Sequence, residues 1–295
     1  MKQRKLKNWL SQWWKYGILL IMLLATLLPF LTVVSVSFSE QEMIEEFGYH
    51  LIPMKISFEG YRYVFSSMKQ IINSYLVTIF ITVVGTVLSL MIVSAIAYSL
   101  SRRDFMYRRL VSTIVFIPMI FSGGVVPSYI LITRYLNMAD TIWVLFVPGL
   151  VGVWNIFLLR TFFSTLPMAL IENAKIEGAN ELQIYFKIVL PLSKTGLATV
   201  ALFTSLSYWN EWFNSLLYIN NDRFVTLQLL LYRIMENMQF LKNNVSSTSI
   251  KTAMRMPVEP AKTAMVIVAA GPMLVVFPFF QKYFVKGITI GAVKG

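Results

Sequence analysis

The chain has 295 residues, 57% hydrophobic and only 14% charged, with a mean hydropathy of +0.65. Soluble domains run at about 45–50% apolar and about 25% charged, so an ordinary soluble domain is excluded. The formal net charge of +12 does not point to nucleic acid, because the lysines and arginines gather at the ends of apolar runs, where they set membrane topology.

Lys2, Arg4, Lys5, Lys7 and Lys15 precede an apolar run at 16–38. A secretory signal has an apolar core of only about 7–15 residues. This run reaches the roughly 20 residues that a membrane helix needs, so it reads as a retained first span. Segment 39–70 opens with Glu40, Glu42, Glu45 and Glu46, and its Pro53, Phe58, Gly60 and Tyr61 suggest a folded lip. Five further spans are expected at 71–100, 110–132, 141–163, 193–219 and 262–284. The fold class is therefore all-α: a polytopic membrane protein of six transmembrane helices with both termini on one side. Arg102, Arg103, Arg108 and Arg109 crowd the turn after the second span, and positive-inside orientation puts that turn, both termini and segment 164–192 in the cytoplasm.

In the second span Ser74, Thr78, Thr82 and Thr86 recur every four residues, joined by Gly85 and Ser89. Such a row stays on one broad helix face. It fits either close packing of membrane helices or the lining of a watery path for a hydroxyl-rich solute. The third span contains Pro118, Gly123, Gly124 and Pro127. It should be bent or interrupted and turned toward the interior of the bundle, since free backbone groups are tolerated only in protein or beside a cavity.

Between the fourth and fifth spans lies a polar island, 166–191. Pro167 suits the first turn of a helix, with Ser164 or Thr165 as N-cap, and Gly178 can end it at positive φ. A second short helix at about 180–187 completes a helix–glycine–helix elbow, and Pro191 opens the next span. The fifth span carries Tyr208, Trp209, Asn210, Glu211 and Trp212. A carboxylate in hydrocarbon costs at least about 2.5–3.5 kcal/mol, so Glu211 should face a cavity or a partner. Indoles and an amide beside it suit a sugar; an interfacial aromatic belt is the competing reading. In the outer loop 220–261, Leu227, Leu230, Leu231, Ile234, Met238 and Leu241 have helical spacing, for docking or for plain packing, and 243–249 is polar. The last nine residues hold three glycines and favour a frayed, extendable end.

Several of these stretches resemble one family. Glu172-x-Ala174-x-x-x-Gly178, followed after nine residues by Ile188-x-Leu190-Pro191, resembles the coupling (EAA) loop of the membrane subunits of bacterial ABC importers. Asn173 departs from the usual second alanine, and Glu177 replaces the commoner aspartate. Phe121-Ser-Gly-Gly-Val-Val-Pro-Ser-Tyr129 resembles a branch of carbohydrate permeases linked to larger oligosaccharides and polysaccharides, and the Trp209-Asn-Glu run resembles one found in sugar-importer permeases. The ending, with Gly287, Gly291, Lys294 and Gly295, is similar to that of the smaller permease of maltose-type importers.

The resemblance implies a lip and first helix at 1–68, a type I importer core at 69–285 and an ATPase-contacting tail at 286–295. It implies coupling residues Glu172, Ala174, Glu177, Gly178, Ile188 and Pro191, with ATP and Mg bound by the partner ATPases and no cofactor in this chain. It also implies a second homologous permease, two ATPase subunits, an extracellular sugar-binding protein, a carbohydrate substrate and a bacterial cell membrane. The substrate path would draw on Ser74, Thr78, Thr82, Tyr208, Trp209, Asn210 and Glu211.

No phosphate-binding G-x-x-x-x-G-K-[ST] motif is present, and His50 is the only histidine. The lack of cysteine removes thiol chemistry, and no cluster has metal-ligand spacing, so an enzyme is not expected. An ion-driven secondary transporter is the alternative, with Glu211 its lone buried ionisable candidate. A receptor or scaffold would leave the elbow without a purpose.

Overall fold

The computed structural model describes residues 2–243 and 257–292. Among the described residues the secondary structure is helical apart from one antiparallel bridge between Ser39 and Ile56. Three single helices are long and apolar enough to cross a membrane, and three bent helix pairs bring the number to six. The chain divides into two compact units, Met1–Met68 with Leu231–Ala270, and Lys69–Leu230 with Gly271–Gly295.

The first unit begins with α1 (Lys2–Ser37), whose apolar stretch from Trp13 is almost wholly exposed, as a helix bathed in lipid or covered by another chain would be. Segment 39–70 folds into the short helices α2 (Gln41–Phe47) and α3 (Glu59–Phe65). Gln41 Oε1 accepts the Glu259 backbone N–H at 3.0 Å, and Tyr61 and Ser37 hydroxyls pair at 3.1 Å. Gly60 lies so close to Pro260 that a Cβ there would stand 2.6 Å from its backbone carbon, a fit that only glycine allows.

The second unit is organised on α4 (Met68–Ser101). At 1.5 Å per residue its 34 residues extend about 50 Å, well beyond the hydrocarbon of a bilayer. Next come α5 (Arg108–Ile120) and α6 (Val125–Ile130), the latter prolonged by a π-helical turn, Leu131–Tyr135. They meet at 111° across a break where Gly124 adopts φ +81°. Two 3-10 turns, Ile142–Leu145 and Val147–Gly149, lead into α7 (Val153–Ser164) at a 47° bend. After the elbow, α11 (Lys194–Trp209) and α12 (Phe213–Tyr218) continue the fifth span. Then follow α13 (Leu227–Asn243) and α14 (Val258–Ala292). The core joins Val93, Ala97 and Leu100 of α4, Ile156, Leu159 and Phe163 of α7 and Val200 of α11, with apolar side chains of the elbow beneath them.

Three sequence expectations change. The third span is broken as its prolines and glycines require, but residues 121–130 are all exposed rather than turned into this chain's interior. A Cβ at Gly123 or Gly124 would meet nothing within 4 Å. Among the described residues, nothing packs over the break. As far as Ala292 the ending is helical rather than frayed, since α14 runs through Gly287 and Gly291. Prolonging an existing helix across a glycine costs about 1 kcal/mol relative to alanine and needs no new nucleus. The third change concerns the start of the elbow, described below. Lys294, Gly295 and the polar stretch beyond Asn243 lie outside the described residues.

Candidate functional site

The elbow is built by local chemistry at each of its corners. Ser164 and Thr165 do not cap it; their hydroxyls donate back to the carbonyls of Arg160 and Phe162, closing α7. Pro167 itself is the N-cap of α8 (Met168–Ile176), with φ −60° and ψ 126°, two or three positions later than the sequence suggests. At the other end Gly178 takes φ +84°. The Ala179 N–H reaches the Ala174 carbonyl at 2.9 Å and the Gly178 N–H reaches Lys175 at 3.0 Å. This 6→1 and 5→2 pair is a Schellman motif, which satisfies carbonyls that a helix end leaves free.

Helix α9 (Glu181–Ile184) starts with a capping box: Gln183 N–H donates to Asn180 Oδ1 at 2.8 Å, and Asn180 N–H to Gln183 Oε1 at 2.9 Å. A π-helical turn, Tyr185–Val189, and α10 (Leu190–Leu192) lead into α11, with Pro191 exposed and Ile188 half-buried.

These corners sort the side chains into two faces. Ile171, Ala174, Ile184, Tyr185 and Val189 are buried in the core with α4 and α7. Glu172 and Glu177 point the other way, together with Ile176, Leu182 and Phe186, which are 84%, 69% and 58% exposed. Large apolar side chains held this far out beside carboxylates make a convex, self-supporting knob.

A charged cluster that sequence reasoning missed ties the knob to α4. Arg102, only 6% exposed, grips Asp104 through Nε at 3.0 Å and Nη2 at 2.7 Å. Lys175 of α8 pairs with the same carboxylate at 2.9 Å and with Glu181 of α9 at 2.8 Å. The Tyr98 hydroxyl donates to Glu181, and the Tyr185 and Ser94 hydroxyls pair at 2.7 Å. Hydrogen bonds from Arg102 and then Lys175 hold the Asp104 carboxyl down at about 2. Bonds to Glu181 and Asp104 push the Lys175 ammonium up. One signal was available: Asp104 is the lone acid in a turn of four arginines.

The residues considered for a substrate path do not form one site. Thr78 Oγ1 accepts the Leu227 N–H at 2.9 Å, closing the start of α13. Ser74 is buried, and its hydroxyl, like those of Thr82, Thr86 and Ser89, has no hydrogen-bond partner among the described residues. Thr82 and Thr86 line a cleft of about 420 Å³ with Ser205, Trp209, Pro272 and Val276. Tyr208 is wedged against Gly85, where a Cβ would come within 2.7 Å of its ring, and donates to the Phe146 carbonyl at 3.0 Å. Asn210 is exposed and donates to Leu206. Glu211 sits in the break between α11 and α12. Its carboxylate accepts the Asn214 backbone N–H at 2.7 Å and the Asn214 amide at 3.0 Å, serving the opening turn of α12.

Residues 85–290 match the family of binding-protein-dependent transport system inner membrane components. The chain belongs to that family. The elbow, the break at 121–124 and all of the fifth span fall within the matched part of this inner membrane component, whereas α1, the lip and the first turns of α4 precede it. It is 39% identical over 290 residues to the polygalacturonan/rhamnogalacturonan transport system permease protein YtcP of Bacillus subtilis, covering 98% of this chain and 100% of that one. Protein LplC of the same organism is 37% identical over 272 residues, covering 92% and 90%. A chain from the crystal structure of a bacterial ABC transporter involved in import of the acidic polysaccharide alginate superposes with a TM-score of 0.80 at 28% identity, covering 94% of this chain and 98% of that one. This inner membrane component is thus a permease subunit of an ABC transporter.

Proposed function

We propose that the chain forms half of the translocation path of an ATP-driven importer for an oligosaccharide or polysaccharide-derived sugar delivered by an extracellular binding protein. The relative YtcP is named for polygalacturonan and rhamnogalacturonan and the structural neighbour for alginate, which supports a carbohydrate cargo. The basic turn at Arg102–Arg109 supports an orientation with the elbow and both termini in the cytoplasm.

The observation that carries the reading is the knob: Ile176 and Leu182 exposed beside Glu172 and Glu177, on a body of buried elbow residues. It fits a socket on an ATPase subunit, one for this chain and one for a second, homologous permease. ATP and Mg bind those ATPases. Their closure moves the knob as a solid lever, and the spans rock between inward-open and outward-open arrangements. The exposed break at 121–124 and the cleft beside Thr82 and Trp209 fit a path completed by the second permease.

Proteoliposomes holding both permeases and the ATPases should take up labelled oligosaccharide only with ATP inside and binding protein outside. Uptake driven by an imposed proton or sodium gradient without ATP would instead make the chain a secondary transporter.

A further inference from the structure

The elbow has two helices joined at a glycine, and glycine joints bend. α8 and α9 meet at Gly178, where a Cβ would meet none of the described residues within 4 Å. A lever with a free joint would absorb displacement rather than transmit it. Two features limit the bend. The buried faces of both helices share one core. Outside that core, Lys175 of α8 spans the joint to Glu181 of α9 at 2.8 Å.

The same two side chains reach back to α4 and the turn that follows it. Lys175 holds Asp104 at 2.9 Å, Asp104 is gripped at two points by Arg102, and Glu181 accepts the Tyr98 hydroxyl. Four chain segments thus converge on two carboxylates: the end of α4, the turn at 102–104, α8 and α9. Arg102 is 6% exposed and so cannot exchange its partner for bulk water, whereas Lys175, Asp104 and Glu181 are 40%, 49% and 52% exposed. Exposed pairs add little to folding stability. Their arrangement across a joint is better suited to fixing an angle. α4 is also the helix whose Gly85 seats Tyr208 in mid-span, so a push at its inner end reaches the middle of the spans.

We infer that Tyr98, Arg102, Asp104, Lys175 and Glu181 are positioning residues that lock the elbow to α4 as one body, so that movement of the knob becomes movement of the span. This rests on the knob being the ATPase dock. The lock stays closed throughout the transport cycle, because its purpose is to remove a degree of freedom rather than to switch.

The chain contains no cysteine, so a thiol pair can be introduced without background. The test uses the assembled importer carrying Asp104→Cys and Lys175→Cys, with sugar uptake and ATP hydrolysis measured on the same vesicles. Without cross-linking, hydrolysis continues while sugar moved per ATP falls by about fivefold or more, the usual scale of coupling between sites. A bifunctional methanethiosulfonate bridging the two thiols restores the ratio, and a reductant reverses the repair. Tyr98→Phe, which keeps the ring and removes only the hydroxyl, lowers the ratio in the same direction, and Lys175→Arg preserves it where Lys175→Met does not. An unchanged ratio in the uncross-linked variant would reduce the cluster to a packing feature. A block of uptake on cross-linking would mean that the contact opens during the cycle, and either result overturns the lock. Failure of the wild-type chain to bind ATPases at all would refute the dock instead, and pull-down of the unmodified complex reads that separately.

Discussion

Gly178 is the residue on which the elbow turns, and its φ of +84° rather than crowding makes glycine necessary there. A β-branched residue would meet no neighbour but would be held in a left-handed conformation costing about 1–3 kcal/mol. Gly178→Val should therefore leave the protein in the membrane, while uptake and sugar-stimulated ATP hydrolysis of the complex fall to background. Normal uptake would mean that the angle of the elbow is irrelevant. This position was legible in the sequence, because a glycine between two helix-forming stretches has few other uses. Tyr98 and Glu181 were not legible. Their hydrogen bond joins residues far apart in the chain, and neither breaks the pattern of its own helix. Glu211 was legible as an anomaly but not in its partner: the break that turns its carboxylate onto Asn214 has no proline or glycine to mark it.

At the scale of elements, the bends follow from composition but their surroundings do not. Pro118, Gly123 and Gly124 made a broken third span expected, and α5 and α6 meet at 111°. That the break would be exposed could not be read from one chain, since a sequence does not say which of its faces another chain covers. The turn between α4 and α5 has a measurable electrostatic signature. Asp104 has its carboxyl lowered from 3.8 to about 2 by Arg102 and Lys175. A depressed folded value means that the contribution to stability is fully present above the ordinary carboxylate range and is lost as pH falls through about 2. Half-exposure of the side chain keeps that contribution modest. Thermal midpoints of wild type and Asp104→Asn in detergent should differ by a constant amount near neutral pH and converge as the solution is taken toward pH 2. A gap that persists unchanged in acid would show that Asp104 acts through shape and not charge.

The whole molecule poses a different question, because so much of its apolar surface, with all of 121–130, is exposed among the described residues. For the smooth face of α1 lipid is an adequate neighbour. For a broken helix it is not: N–H and C=O groups outside regular helix must meet protein or a water-filled cavity. Among the described residues the bonds at the break are local, such as Gly124 N–H to Ser122 Oγ at 3.3 Å and Ser128 Oγ to Gly124 O at 2.8 Å. If the chain is half of a path, the second permease must cover this break. Val126, 68% exposed at the start of α6, reports on it. Val126→Cys in this cysteine-free chain should react readily with a lipid-soluble maleimide when the subunit is expressed alone. Co-expression with its partner permease should slow that reaction severalfold, whereas a thiol on the outer face of α1, such as Leu19→Cys, should keep its rate. Equal reactivity at 126 in both preparations would leave the break facing lipid, a position its free backbone cannot tolerate, and the half-path arrangement would have to be abandoned.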